Sequence, residues 1–97
     1  NSYQQILTPS ITAYPNPFNG SSNITVNRYA DVQAPIKIYD IIGREVASFE
    51  PTKYDSPKYI FQWNGSRKDG TQATSGLYFI VYKTQNSSLV KKITYLR

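Results

Sequence analysis

The chain has 97 residues, a formal net charge of +5, and neither cysteine nor histidine. That size fits one domain with a single core. The missing side chains exclude thiol catalysis, cysteine-ligated zinc and the imidazole general base. No apolar run approaches the roughly 20 residues that span a bilayer, so no membrane-spanning segment is expected. The opening Asn1-Ser2-Tyr3 lacks a signal-peptide pattern, and a start without methionine suggests a fragment or processed product, with any signal peptide upstream.

Eleven basic residues face six acidic ones. Such a balance favours anionic surroundings, but only Arg67-Lys68 and Lys91-Lys92 are adjacent. Scattered cations of this kind are expected mainly to solvate the surface. Nine tyrosines and four phenylalanines compensate for sparse aliphatics. Each aromatic buries roughly 150–250 Å², enough for a few to fill a small two-layer core.

Along the chain, helical windows lack an i, i+3, i+4 stripe, whereas β-branched and aromatic residues alternate with polar ones. Residues 1–10 read as a linker or a first edge strand, with Pro9 as a stop, and residues 11–97 as the domain proper. Ile11 to Tyr14 begins the first firm strand, ended by Pro15 and Pro17, which lack backbone donors. Asn19-Gly20-Ser21 reads as a turn, and Asn23 to Asn27 as a strand with Ile24 and Val26 on one face. Ile36 and Ile38 flank Lys37 in the next strand. Asp40-Ile41-Ile42-Gly43 then reads as a tight hairpin loop, opened by an aspartate acceptor and closed by a positive-φ glycine. Arg44 to Phe49 returns, and residues 50–58 should cross between sheets.

Tyr59, Phe61 and Trp63 alternate with Ile60 and Gln62, and a polar connection with two glycine turns runs from Asn64 to Ser75. Gly76 to Thr84 is apolar on both faces: Leu77, Phe79 and Val81 on one, Tyr78, Ile80 and Tyr82 on the other. That pattern suits a central strand. Asn86-Ser87 turns the chain into a last strand from Leu89 to Leu96. About seven strands with regular turns indicate an all-β fold, an antiparallel sandwich of immunoglobulin type.

No reactive constellation emerges from the sequence. Asp40 and Asp69 sit in turns beside glycine, where capping explains them. No acidic run matches a calcium loop, and no glycine-rich phosphate cradle is present. The expectation is a domain that is not an enzyme, with no cofactor and no metal. Trp63, Tyr78, Tyr82 and Tyr95 offer an alternative, a flat platform for sugar rings or bases, but a buried inter-sheet tryptophan with tyrosines lining the sheets is the simpler reading. The strand motif of RNA-recognition modules is missing, so no nucleic-acid partner is expected. Four Asn-x-Ser/Thr triplets, at Asn19, Asn23, Asn64 and Asn86, match glycosylation acceptors yet fall mainly in expected turns. Lys91 and Lys92 alternate to opposite faces of their strand, where lysine protects an edge or serves recognition.

Five stretches then occur in order: Tyr14-Pro15-Asn16-Pro17-Phe18-Asn19; Ile38 to Val46; Trp63-Asn64-Gly65 with Gly70; Ser75-Gly76-Leu77-Tyr78-Phe79; and Lys91 to Arg97. Together, over about residues 11–97, they resemble the C-terminal sorting domain of type IX secretion in the Bacteroidetes. A flagellar hook-capping type of immunoglobulin-like domain shares some of these patterns, but the Pro-Asn-Pro opening and short basic terminus favour the sorting domain. Asn64 stands where an aspartate is frequent. The resemblance implies a signal without catalysis that directs an attached cargo out of the periplasm, through the outer-membrane secretion machinery, to the surface or the extracellular space. A surface sortase-like protease would remove it, and the cargo would be released or joined to anionic lipopolysaccharide. The resemblance assigns translocon recognition to Pro15, Asn16, Pro17, Gly76, Tyr78, Lys91, Lys92 and Arg97, with a last-strand edge that a partner could extend. The competing reading is an accessory module binding polysaccharide for a hydrolase through Trp63, Tyr82 and Tyr95, and a third is a plain structural spacer.

Overall fold

A computed structural model describes residues 9–27, 34–50, 58–84 and 88–97. Seven strands and no helix occur among them: β1 (Ser10–Tyr14), β2 (Ser22–Asn27), β3 (Ile36–Tyr39), β4 (Glu45–Phe49), β5 (Lys58–Trp63), β6 (Gly76–Lys83) and β7 (Ser88–Tyr95). They form a three-stranded sheet in the order β1-β2-β5 and a four-stranded sheet in the order β4-β3-β6-β7. Every strand pair is antiparallel.

Alternation puts one side of each strand into the core. Ile11 of β1, Ile24 and Val26 of β2, and Trp63 of β5 point inward from one sheet. Ile36 and Ile38 of β3, Tyr78, Ile80 and Tyr82 of β6, and Ile93 and Tyr95 of β7 meet them from the other. β6 lies between β3 and β7, as its two apolar faces predict. The expected face assignments for β2, β6 and β7 hold, and Ser10 belongs to β1 rather than to a lead-in. Residues 1–8, most of the crossing segment 50–58 and the Asn86-Ser87 turn lie outside the described residues.

The outward faces of the two sheets differ. Thr12, Thr25, Asn23 and Gln62 give the smaller sheet a hydroxyl and amide surface, on which Tyr14 and Ile60 are also exposed. The larger sheet carries Leu77, Val81 and Val90 outward.

β4 contains a feature that alternation does not anticipate. Its register against β3 slips, with Ile38 opposite Ala47 but Tyr39 opposite Glu45. Val46 is the extra residue of a bulge, so Val46 and Ala47 are both buried although adjacent. The bulge also turns the Val46 carbonyl towards the 64–75 connection, where it accepts the Lys68 N–H at 2.9 Å.

Candidate functional site

The motif residues gather at one end of the sandwich, where β1, β3, β5 and β7 finish and β2, β4 and β6 begin. Four motifs each supply one ring there. Phe18 lies 5.6 Å from Trp63 and 5.0 Å from Tyr95 between centroids, and Tyr78 meets Trp63 edge-on at 5.3 Å. All four rings are buried. Their polar atoms are satisfied within the same end. Trp63 Nε1 donates to the Ser66 carbonyl at 2.9 Å, the Tyr78 hydroxyl to the Thr74 carbonyl at 2.6 Å, and Gln72 Nε2 to the Tyr95 hydroxyl at 2.6 Å.

Gly65 explains the Trp-Asn-Gly spacing. Its φ is +83°, and a Cβ there would fall on the Tyr95 ring carbons. A turn conformation and a close approach therefore both demand glycine. Gly76, at φ +154°, has nothing within 4 Å of where a Cβ would stand, so the backbone angle rather than crowding selects it.

The Pro-Asn-Pro segment carries the chain from one sheet to the other. Both Tyr14-Pro15 and Asn16-Pro17 bonds are cis. Asn16 Nδ2 donates to the Lys92 carbonyl and Asn16 Oδ1 accepts the Thr94 N–H, each at 3.0 Å. Phe18 N–H then donates to the Thr94 carbonyl at 3.0 Å, and Leu96 N–H to the Phe18 carbonyl at 2.8 Å. The result is a short parallel bridge between Phe18 and Tyr95 along the outer edge of β7. Ser22 Oγ anchors the bend by donating to the Pro15 carbonyl at 2.8 Å, and Arg97 N–H donates to Ser75 Oγ at 2.8 Å. The last-strand edge expected to be open to a partner is thus narrowed, because its C-terminal half is already paired.

The carboxylates at this end are held in structural bonds. Asp40 Oδ1 accepts the Ile42 and Arg44 N–H groups, and Oδ2 pairs with Arg44 Nε at 2.9 Å. The Arg44 backbone N–H, followed by its side chain, holds the Asp40 pKa below the ordinary value. Glu45 is lowered chiefly by Lys68, with Lys37 adding to it, and Asp69 by its bonds to the Thr71 hydroxyl and N–H. Among the described residues, no cluster of three acidic side chains could hold a metal ion.

Of the residues assigned to recognition, Pro15, Asn16, Pro17, Gly76 and Arg97 come together, and Pro15, Pro17 and Arg97 are exposed. Tyr78 lies beneath them and is buried. Lys91 and Lys92 diverge: Lys91 shares the inner parity of Ile93, while Lys92 is exposed on the outer face. The proposed aromatic platform is not formed. Trp63, Tyr82 and Tyr95 are 1%, 1% and 3% exposed, so none offers a ring face to a ligand. Tyr82 also sits at the far end of β6, opposite Leu89. Asn23 lies in β2 rather than in a turn. The turn role read for Asn64 holds, its Oδ1 accepting the Ser66 N–H and hydroxyl, whereas sequence reasoning missed the bonding of Gln72 to Tyr95.

These features define the class: an immunoglobulin-like sandwich whose signature residues fasten its last strand instead of lining a reaction site. The family of secretion system C-terminal sorting domains matches residues 12–95, and the chain belongs to it. Two solved structures share the fold. Dimeric latent PorU from Porphyromonas gingivalis is 20% identical with a TM-score of 0.65, over 97% of this chain and 10% of that one. PorZ, an essential surface component of the type-IX secretion system of Porphyromonas gingivalis, is 23% identical with a TM-score of 0.61, over 90% of this chain and 11% of that one. The present chain therefore spans about a tenth of either protein. No curated protein matches it.

Proposed function

We propose that this domain is a non-catalytic address carried by an exported cargo protein. The outer-membrane secretion machinery reads it after periplasmic transit, and it brings the cargo to the cell surface. The family match over residues 12–95 carries this reading, and the burial of Trp63, Tyr82 and Tyr95, the three rings of the alternative ligand platform, supports it over polysaccharide binding through them. The basic and proline-bearing rim at the motif end, with Pro15, Pro17, Lys92 and Arg97 exposed, is the surface on which recognition rests. A surface protease would cut ahead of Ile11, leaving the cargo free or joined to anionic lipopolysaccharide.

The test is a fusion of residues 1–97 behind a signal peptide and reporter in a host with type IX secretion. Deleting Lys91 to Arg97 is the blunt variant, because it also removes Ile93 and Tyr95 from the core. Lys92→Ala with Arg97→Ala leaves the core intact. The reporter is expected at the surface with the parent domain and in the periplasm with the double variant; periplasmic retention of the parent fusion would refute the reading.

A further inference from the structure

Asparagine side chains in this fold are nearly all engaged. Asn16 bonds to Lys92 and Thr94, Asn23 Oδ1 accepts from Gln62 Nε2 at 2.8 Å, and Asn27 Nδ2 donates to Ser10 Oγ at 3.0 Å. Asn64 Oδ1 accepts the Ser66 N–H and hydroxyl at 3.1 and 2.7 Å. Asn19 is the exception among the described residues: it is exposed, and its side-chain amide has no hydrogen-bond partner.

The residue after it is Gly20, also exposed. Among the described residues the Gly20 N–H has no hydrogen-bond partner either, and a Cβ there would meet nothing within 4 Å. Both sides of this bend are anchored. Phe18 is buried and bonded through its N–H and carbonyl to the 94–96 segment, and Ser22 is buried and bonded to the Pro15 carbonyl. Residues 19–21 thus form a short exposed link between two fixed points. The other Asn-Gly pair, Asn64-Gly65, has opposite surroundings. The Asn64 carbonyl accepts Gln72 Nε2 at 2.9 Å, the Gly65 carbonyl accepts the Ala73 N–H at 2.8 Å, and the Tyr95 ring closes on Gly65.

We infer that Asn19 is a self-modification site, at which the Gly20 backbone nitrogen attacks the Asn19 side-chain carbonyl carbon. The new N–Cγ bond closes a succinimide ring. The Cγ–Nδ2 bond breaks, and ammonia leaves with the proton from the Gly20 N–H. Water then opens the ring at either carbonyl, giving aspartate or isoaspartate with no change of oxidation state. Asparagine is the thermolabile partner, and a following glycine leaves its nitrogen unshielded because it has no Cβ. The reaction needs an unengaged amide and an uncrowded nitrogen, and residues 19 and 20 supply both. Asn64 would first give up two hydrogen bonds, which holds its reaction about tenfold or more behind. Isoaspartate also lengthens the main chain by one atom, which the open link at Gly20 accommodates and the packing of Gly65 against Tyr95 does not. The product lowers the formal net charge of +5 by one. It places a carboxylate at the rim where Phe18 runs parallel to Tyr95 and where Arg97 is exposed. This chemistry goes beyond the sorting reading and does not depend on it.

The experiment holds the folded cargo fusion in mildly alkaline buffer, beside the same fusion in urea, and maps tryptic peptides by mass spectrometry over time. Cleavage after Arg28, Lys58 and Arg67 puts the two Asn-Gly pairs on separate peptides. In the folded protein Asn19 is expected to convert to aspartate and isoaspartate, the latter labelled by an isoaspartyl methyltransferase, with Asn64 at least about tenfold slower. In urea the two positions should convert at similar rates. Gly20→Ala should slow conversion of Asn19 without moving the thermal midpoint, because Gly20 has no positive φ and open space around it. An Asn19 that keeps its amide in the folded fusion while Asn64 converts in urea overturns the inference. Conversion of Asn64 in the folded fusion as fast as that of Asn19 overturns it too. Both of these outcomes leave the sorting reading untouched.

Discussion

At Asn16 the side-chain amide offers Thr94 an acceptor and Lys92 a donor, the two bonds a strand's peptide group would make. Only an amide does both, since aspartate has no donor when ionised. Asn16→Asp is therefore expected to destabilise the fold by about 1–2 kcal/mol, read as a lower urea midpoint with an unchanged slope. Gly65 is less forgiving, because a Cβ at φ +83° meets the Tyr95 ring. Gly65→Ala should cost about 2–4 kcal/mol, combining overpacking with backbone strain. Gly70→Ala, at φ +89° with open space around it, should cost about 1 kcal/mol from backbone strain alone. Thermal midpoints of the two variants would show the difference. The turn role of glycine and the core role of Trp63 could be read from neighbouring residues. Asn16 could not, because its partners lie 76 and 78 positions away.

Strands announced themselves through alternation, which depends only on local sequence. What alternation does not carry is the extra residue in a pair, and hence the Val46 bulge and the docking of Lys68 on it were invisible. The same limit hid the pairing of Asn16 and Phe18 with β7, where two distant segments complete one edge. Three carboxylates have lowered pKa values, Asp40 and Asp69 in connecting turns and Glu45 at the start of β4. Because each is depressed in the fold, its contribution is present above the ordinary values of 3.8, 4.5 and 3.8 and is lost as pH falls through the folded ones. Thermal midpoints measured from pH 7 downwards should hold steady and then decline below those values. Asp40→Asn together with Glu45→Gln should make the acid decline shallower.

Across the molecule, the motifs that identify the family are largely those that close one end of the sandwich. The motifs therefore converge on one end in the sequence order but do not separate residues that fasten it from residues that a partner could touch; burial makes that separation. Phe18, Trp63, Tyr78 and Tyr95 belong to the first group, and Pro15, Pro17 and Arg97 to the second. Removing Lys91 to Arg97 should accordingly unfold the domain rather than merely blunt it. Its circular dichroism would lose the sheet signal, and Trp63 emission would shift to that of a water-exposed indole. Lys92→Ala with Arg97→Ala should leave both spectra at their parent form.

The clasp of Asn16 and Phe18 upon residues 92–96 also sets an order of events. A nascent chain leaving the ribosome carries its first strand long before the segment that secures it, so the sandwich cannot shut until the final stretch has been made. Ribosome-stalled chains ending before residue 92 should remain protease-sensitive throughout this domain, and chains released after residue 97 should become resistant.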